Sequence, residues 1–170
     1  MKLQASNYWN VEMNSNAELA ASHLMTLSLT VNAKASQMIG NIGGGTRMIA
    51  PIAGGDFSGN LLNGKVLPGG ADWVLLRDDG VLKIDVRLVL ETTVESALIY
   101  LTYQGRFLAS QQVMTRLNAG EELSTDEYSL AVTAKFETGH PDFRWINDAV
   151  VVATGVQSGF SPTYDFYLIG

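Results

Sequence analysis

The spacing of glycine constrains this chain more than any other feature. Of its 17 glycines, 11 fall between Gly40 and Gly80, where they punctuate short apolar runs instead of filling a flexible tail. The stretch from Gly43 to Asp85 reads GGGTRMIAPIAGGDFSGNLLNGKVLPGGADWVLLRDDGVLKID. Glycine reaches backbone conformations that other residues avoid, so short apolar runs broken this way describe a sheet with tight corners. Arg47, Asp56, Asp72, Trp73, Asp85 and Arg87 stand at or near the ends of those runs. A sheet that presents a few polar groups at a shared site has this pattern.

The rest of the chain adds strands. Leu24–Val31 alternates, with Met25, Leu27, Leu29 and Val31 on one face and Thr26, Ser28 and Thr30 on the other, as a half-buried strand does. Residues 46–52 form a second strand, followed by a bend or bulge at Gly54-Gly55. The apolar run Leu61–Leu67 is closed by Pro68-Gly69-Gly70. Trp73–Arg77 and Val81–Leu90 read as a hairpin about Asp78-Asp79-Gly80. Ala97–Phe107, Tyr128–Phe136, Ala149–Thr154 and Tyr164–Ile169 supply further strands. Ser110–Leu117 is the one segment where helix and strand compete, and a short helical turn is possible around Ala17–Ser22. Short connections favour antiparallel pairing. A single all-β domain follows: a mostly antiparallel closed barrel with little helix, or a sandwich as second choice. Residues 1–22 read as a polar, Asn-rich extension and 23–170 as the barrel.

Composition removes several functions. There is no cysteine, which excludes a disulfide scaffold and thiolate chemistry. His23 and His140 are too few for the usual zinc site, and no metal is expected. The net charge is −6 with no cluster of Lys and Arg, so nucleic acid is not the expected partner. No apolar run approaches a bilayer span and no signal peptide is visible, so no membrane partner and a cytoplasmic location are the expectations. Gly59–Lys65 fits the spacing GxxxxGK, but Val66 stands where a hydroxyl should hold magnesium. A turn at Asn63-Gly64 explains it better, and nucleotide binding is rejected.

Each polar candidate has a plain reading beside a functional one. Asp72 and Trp73 follow the Pro68-Gly69-Gly70 corner and are either a turn with a packed indole or a carboxylate and an aromatic wall at a pocket. Asp85 and Arg87 share one face of a strand whose other face, Leu82 to Leu90, is wholly apolar. Outward they are a surface pair of little consequence; inward they are buried charges that need partners. Tyr103 shares a face with Leu101 and Phe107, so its hydroxyl needs a partner. Arg47 is a surface charge or an anion clamp. Glu137, Trp145 and Asn147 complete the set. His140 reads as an exposed loop residue, and His23 is given no role.

Several segments taken together resemble the family catalogued as DUF3237, also called UPF0311: Ile49–Gly59, Gly64–Trp73 with its PGGADW, Asp79-Gly80, Asp85-Val86-Arg87, Phe136-Glu137-Thr138, Trp145-Ile146-Asn147 and Tyr164-Asp165. The resemblance runs from about residue 24 to the end of the chain. It implies an eight-stranded barrel of the allene oxide cyclase type with a small internal cavity, and no assigned activity. It places the recurrent polar positions on Asp72, Asp85, Arg87, Glu137 and Asn147, with Trp73 and Trp145 as aromatic partners. In one departure, Ala131 stands where an arginine is common.

Two functions remain. One is a barrel for a small organic ligand, apolar or oxygenated, which it binds or rearranges as an isomerase or cyclase without a cofactor. Asp72, Arg87 and Glu137 would then be catalytic, and Arg47, Trp73, Asp85, Tyr103, Trp145 and Asn147 would hold the ligand. The other is a structural barrel that oligomerises. Arg87 and Asp85 are expected to point inward and pair with Glu137 or Asp72, so that Arg87→Leu would cost about 3–5 kcal/mol. The apolar face of that strand would then lie outside, buried in a homodimer.

Overall fold

The alternations become ten strands in the computed structural model, which describes residues 19–170. They are β1 (Ala21–Val31), β2 (Gln37–Asn41), β3 (Gly45–Ser58), β4 (Gly64–Asp72), β5 (Leu75–Arg77), β6 (Leu82–Thr92), β7 (Leu98–Ala109), β8 (Tyr128–Glu137), β9 (Val151–Ser158) and β10 (Ser161–Ile169). The neighbour order β1-β10-β9-β8-β7-β6-β4-β3 closes through β1 against β3, giving an eight-stranded antiparallel barrel. Closure removes the free edges that an open sheet would leave. β2 adds to β3, and β5 bridges β3 and β6. Of the polar extension expected over residues 1–22, residues 1–18 lie outside the described residues. Ala21 and Ser22 belong to β1, not to a helical turn.

Ser110–Leu117 resolves as a helix, α1 (Gln111–Asn118). Ser110 has extended backbone angles and its side chain accepts a hydrogen bond from the Val113 N–H, which meets one of the unpaired donors at a helix start. Pro141–Asp148 forms a 3₁₀ segment whose Ile146 is fully buried beside β8. Among the described residues no helix is long and apolar enough to cross a membrane.

Gly54-Gly55 is the bulge that its sequence allows, and the Pro68-Gly69-Gly70 corner is likewise a bulge inside a longer strand. β3 continues through Gly54-Gly55 to Ser58, and its register against β4 shifts between Pro51 and Gly55. β4 continues through Pro68-Gly69-Gly70, and its register against β6 shifts between Leu67 and Ala71. A bulge bends a strand without ending it, so the barrel wall curves here while keeping its ladder. β2 has no counterpart in the sequence reading, because Gln37–Asn41 carries a glycine and leaves Met38 and Ile39 exposed.

The apolar face of β6 is the inner one. Ile84, Val86, Leu88 and Leu90 are buried, while Lys83, Asp85 and Arg87 face outward. The expectation that Asp85 and Arg87 point into the barrel is therefore corrected. Withdrawing an ion from water costs several kcal/mol, and a continuous apolar face on the same strand is the cheaper filling for the interior. The argument for a dimer from an outward apolar face falls with it. The Arg87 side chain is 44% exposed and lies 3.3 Å from Asp85, its guanidinium 4.8 Å above the Trp73 ring. A surface ion pair and an exposed cation–π contact are each worth under about 1 kcal/mol. Arg87→Leu is accordingly expected to change stability by no more than about 1 kcal/mol in urea unfolding.

The interior has two halves. One is filled by Phe57, Leu62, Leu90, Ile99, Phe136, Ile146 and Phe166, all at most 2% exposed. Burying each such side chain contributes about 1.5–3 kcal/mol. The other half holds a cavity.

Candidate functional site

A directly opposed row crosses the wall of the barrel: Ala50 on β3, Asp72 on β4, Val86 on β6 and Tyr103 on β7. Residues opposed in an antiparallel ladder share a face. All four line one internal cavity of about 170 Å³. The rest of its wall is mainly aliphatic and aromatic, including Leu29, Ile52, Val74, Phe107 and Leu130. Met114 and Leu117 of α1, with Gly159 and Phe160 of the β9–β10 turn, border it as well.

Besides Asn118 of α1 and Gln157 of β9, two polar features break this apolar lining. Asp72 is half-buried, and its Oδ1 accepts a hydrogen bond from the Asp85 N–H at 3.0 Å. Burial pushes its carboxyl up to about 6, and the Asp85 charge pushes the same way. The Asp85 N–H and the Arg47 charge restrain the rise. The second feature is a pair of tyrosines. Tyr103 and Tyr164 have ring centroids 5.2 Å apart and are almost fully buried. Burial drives both hydroxyls well above the usual tyrosine range, so they remain protonated donors at neutral pH. Tyr103 Oη has no hydrogen-bond partner: Tyr164 is near enough to raise its pKa, but not placed for a normal hydrogen bond. An unpaired buried hydroxyl costs about 1–3 kcal/mol.

Tyr164 is a residue the sequence reading left without a role, although its strand alternates Tyr164, Phe166, Leu168 and so turns the phenol inward with Phe166. The space for its ring comes from Gly155, directly opposite on β9. A Cβ there would stand 2.8 Å from the Tyr164 ring and 2.5 Å from Leu130.

The outer side of the same wall carries other candidates. Arg47, Trp73 and Asp85 line an external groove with Leu75, Lys83, Gln104 and Arg106. Arg47 donates to the Trp73 carbonyl. Arg87 stands beside it over Trp73. Lys83, Gln104 and Arg106 were not anticipated, yet Lys83 shares the outer face with Asp85 and Arg87 and was legible from that alternation. Ala131, where the resemblance leads one to expect arginine, is exposed on this outer side and pairs with Arg106.

The remaining candidates are elsewhere. Glu137 ends β8, opposite Tyr100, and is exposed. It is not brought to Asp72 or Arg87. Asn147 holds the chain together locally: its Oδ1 accepts from Thr138 N and its Nδ2 donates to Thr138 O, at 2.9 and 3.0 Å. Trp145 is 42% exposed on the same 3₁₀ segment. Among the described residues, Glu95, His140 and Asp142 bring three potential metal donors within 4.8 Å of one another at the surface. His140 Nε2 is hydrogen-bonded to Glu95 at 3.1 Å, and no metal is assigned to the cluster.

Comparison with known proteins bears on this arrangement. The model of the family described as "Protein of unknown function (DUF3237)" matches residues 19–169. The chain belongs to the DUF3237 family. A UPF0311 protein of Rhodopseudomonas palustris is 30% identical over 118 residues, covering 69% of this chain and 76% of its own. The crystal structure of a beta-barrel like protein from Acinetobacter baumannii is 33% identical with a TM-score of 0.78, over 91% of this DUF3237 chain and 98% of that one. An enzyme from Penicillium herquei shares the fold at 15% identity and a TM-score of 0.68, over 91% of this chain and 96% of its own.

Proposed function

We propose that this DUF3237 barrel takes a small, mostly apolar, oxygenated organic molecule into its interior and moves a proton on it. The observation that carries this reading is the Asp72 carboxyl and the unpartnered Tyr103 hydroxyl on one row of a mainly apolar cavity. A dry apolar cavity of about 150 Å³ holds a benzene-sized molecule, so about 170 Å³ suits a single ring or a short branched chain. With its carboxyl near 6, Asp72 is mostly ionised at pH 7 and strong enough as a base to accept a carbon-bound proton next to a carbonyl. Tyr103 supplies a donor to the carbonyl oxygen, where negative charge develops. Returning the proton at another carbon completes an isomerisation, in which no atom is gained or lost. Arg87, held outside, does not enter the step; the Tyr103 hydroxyl takes the role of charge stabiliser. Glu137, Trp145 and Asn147 stand away from the cavity, Asn147 bonded to the Thr138 backbone.

The test uses 2-cyclohexenone and a panel of monocyclic ketones and phenols. Members that fit are expected to raise the melting midpoint by linkage. Bound 2-cyclohexenone in D₂O at pH 7 is expected to gain deuterium beside the carbonyl. Met114→Trp, which fills the cavity beside α1, should remove both effects. Ligands that shift the midpoint equally in Met114→Trp bind elsewhere and would overturn the reading. A panel that shifts nothing would favour the alternative of a structural barrel.

A further inference from the structure

We propose that the external groove between β5, β6 and β7 is a second binding site, for a small oxyanion carrying two or more negative charges. The groove has a volume of about 300 Å³. It gathers Arg47, Lys83 and Arg106, and the only carboxylate among its lining residues is Asp85. That carboxylate is already engaged, by Arg87 and Gln104 at 3.3 Å each. Arg87 included, four of the chain's 11 basic residues stand in or beside the groove, in a protein whose net charge is −6.

The placement of two of these cations is the telling detail. Lys83 on β6 and Arg106 on β7 are directly opposite one another in the ladder, and both face outward. Like charges opposed across a strand pair destabilise it. Neither forms an ion pair with any described residue. The Asp85 pair does not offset them, because Arg87 and Gln104 already occupy its oxygens. An anion seated between Lys83 and Arg106 would remove the repulsion and gain two charge-assisted hydrogen bonds. Arg47, fixed by its bond to the Trp73 carbonyl, offers a third positive group at one end of the groove. Phosphate and carboxylate oxyanions share the chemistry that such a site reads.

The site does not depend on the interior reading, and each can fail alone. The experiment is calorimetric titration of the full chain at low ionic strength with inorganic pyrophosphate and, separately, with citrate. Saturable one-to-one binding is expected for at least one of them; the stronger identifies phosphate or carboxylate as the preferred class. The double variant Lys83→Gln/Arg106→Gln should bind at least about tenfold more weakly while melting no lower than the parent. A control of equal charge loss on exposed residues elsewhere, Lys34→Gln/Arg144→Gln, should bind as the parent does. Absence of saturable binding to both probes at millimolar concentration overturns the proposal. So does equal weakening in the control, which would reduce the effect to overall charge.

Discussion

Asp72→Asn is expected to make the protein more stable at pH 8 than its parent, by about 2–3 kcal/mol. The reason lies in the direction of the pKa shift. In the folded chain the Asp72 carboxyl is raised from 3.8 to about 6, chiefly by burial. A group whose folded pKa lies above its unfolded one favours the folded state while it is protonated. That contribution is complete below about pH 4 and is lost as pH rises through about 6. A rise of about two units corresponds to roughly 3 kcal/mol once both states are ionised. Asparagine has nothing to ionise, and its carbonyl oxygen can still accept the Asp85 N–H that Oδ1 accepts now. The two proteins should therefore match in urea unfolding at pH 4 and diverge up to about pH 7. In a chain of this size the gain corresponds to a rise of roughly 5–10 °C in melting midpoint. The same substitution should abolish deuterium uptake by 2-cyclohexenone, since the proton acceptor is gone. A variant that is less stable than the parent at pH 8 would show that the ionised carboxylate is well accommodated, and would remove the strained base from the interior.

Gly55→Ala is expected to be among the most damaging single changes, costing at least about 3 kcal/mol. Gly55 pairs with Leu29 where β3 meets β1, the seam that closes the barrel. A Cβ there would lie 2.1 Å from the Ser28 carbonyl oxygen, 3.1 Å from its carbon and 3.2 Å from the Leu29 Cα. All three are backbone atoms of the partner strand, so no side chain can swing aside. The residue also has φ of 150°, in the region L side chains rarely adopt. Relief requires the two strands to part, which breaks ladder hydrogen bonds and opens a free edge. Chemical unfolding that places Gly55→Ala within 1 kcal/mol of its parent would mean that the seam is more compliant than its geometry indicates. Gly54, at φ of 153°, has only the Val66 carbonyl near, at 3.5 Å. Its neighbour in sequence thus marks how local the constraint is.

The periodic strands were legible because alternation is local: β1, β6 and β7 can each be read from ten or so consecutive residues. The direction of an alternating strand is another matter. On β6 the sequence says that Ile84, Val86 and Leu88 oppose Asp85 and Arg87, but not which set meets the core. That choice is made by the cost of desolvating charge, summed over the closed wall. The shared face of Asp85 and Arg87 and their family-like positions suggest an inward pair, but the structure turns the apolar face inward. Nothing local in Pro68-Gly69-Gly70 distinguishes a turn from a bulge; pairing on both sides of β4 makes it a bulge. The juxtaposition of Asp72 with Tyr103 was invisible for a different reason. Thirty residues separate them, and only the registers of β4 with β6 and of β6 with β7 place them on one row. Asn147 clamps Thr138 and Ile146 fills the packed half, a local role that needs no ligand.

The wall between cavity and groove is a single strand thick, with Asp72 facing in and Trp73 lining the groove outside. Arg47 and Asp85 both line the groove, and both act on the Asp72 carboxyl. The two faces are therefore not free to drift independently. A substitution that alters charge outside changes the proton affinity inside, and replacements at 47, 72 and 85 should combine non-additively even when no two of the side chains touch. A lineage adapting one face to a new ligand would have to retune the other.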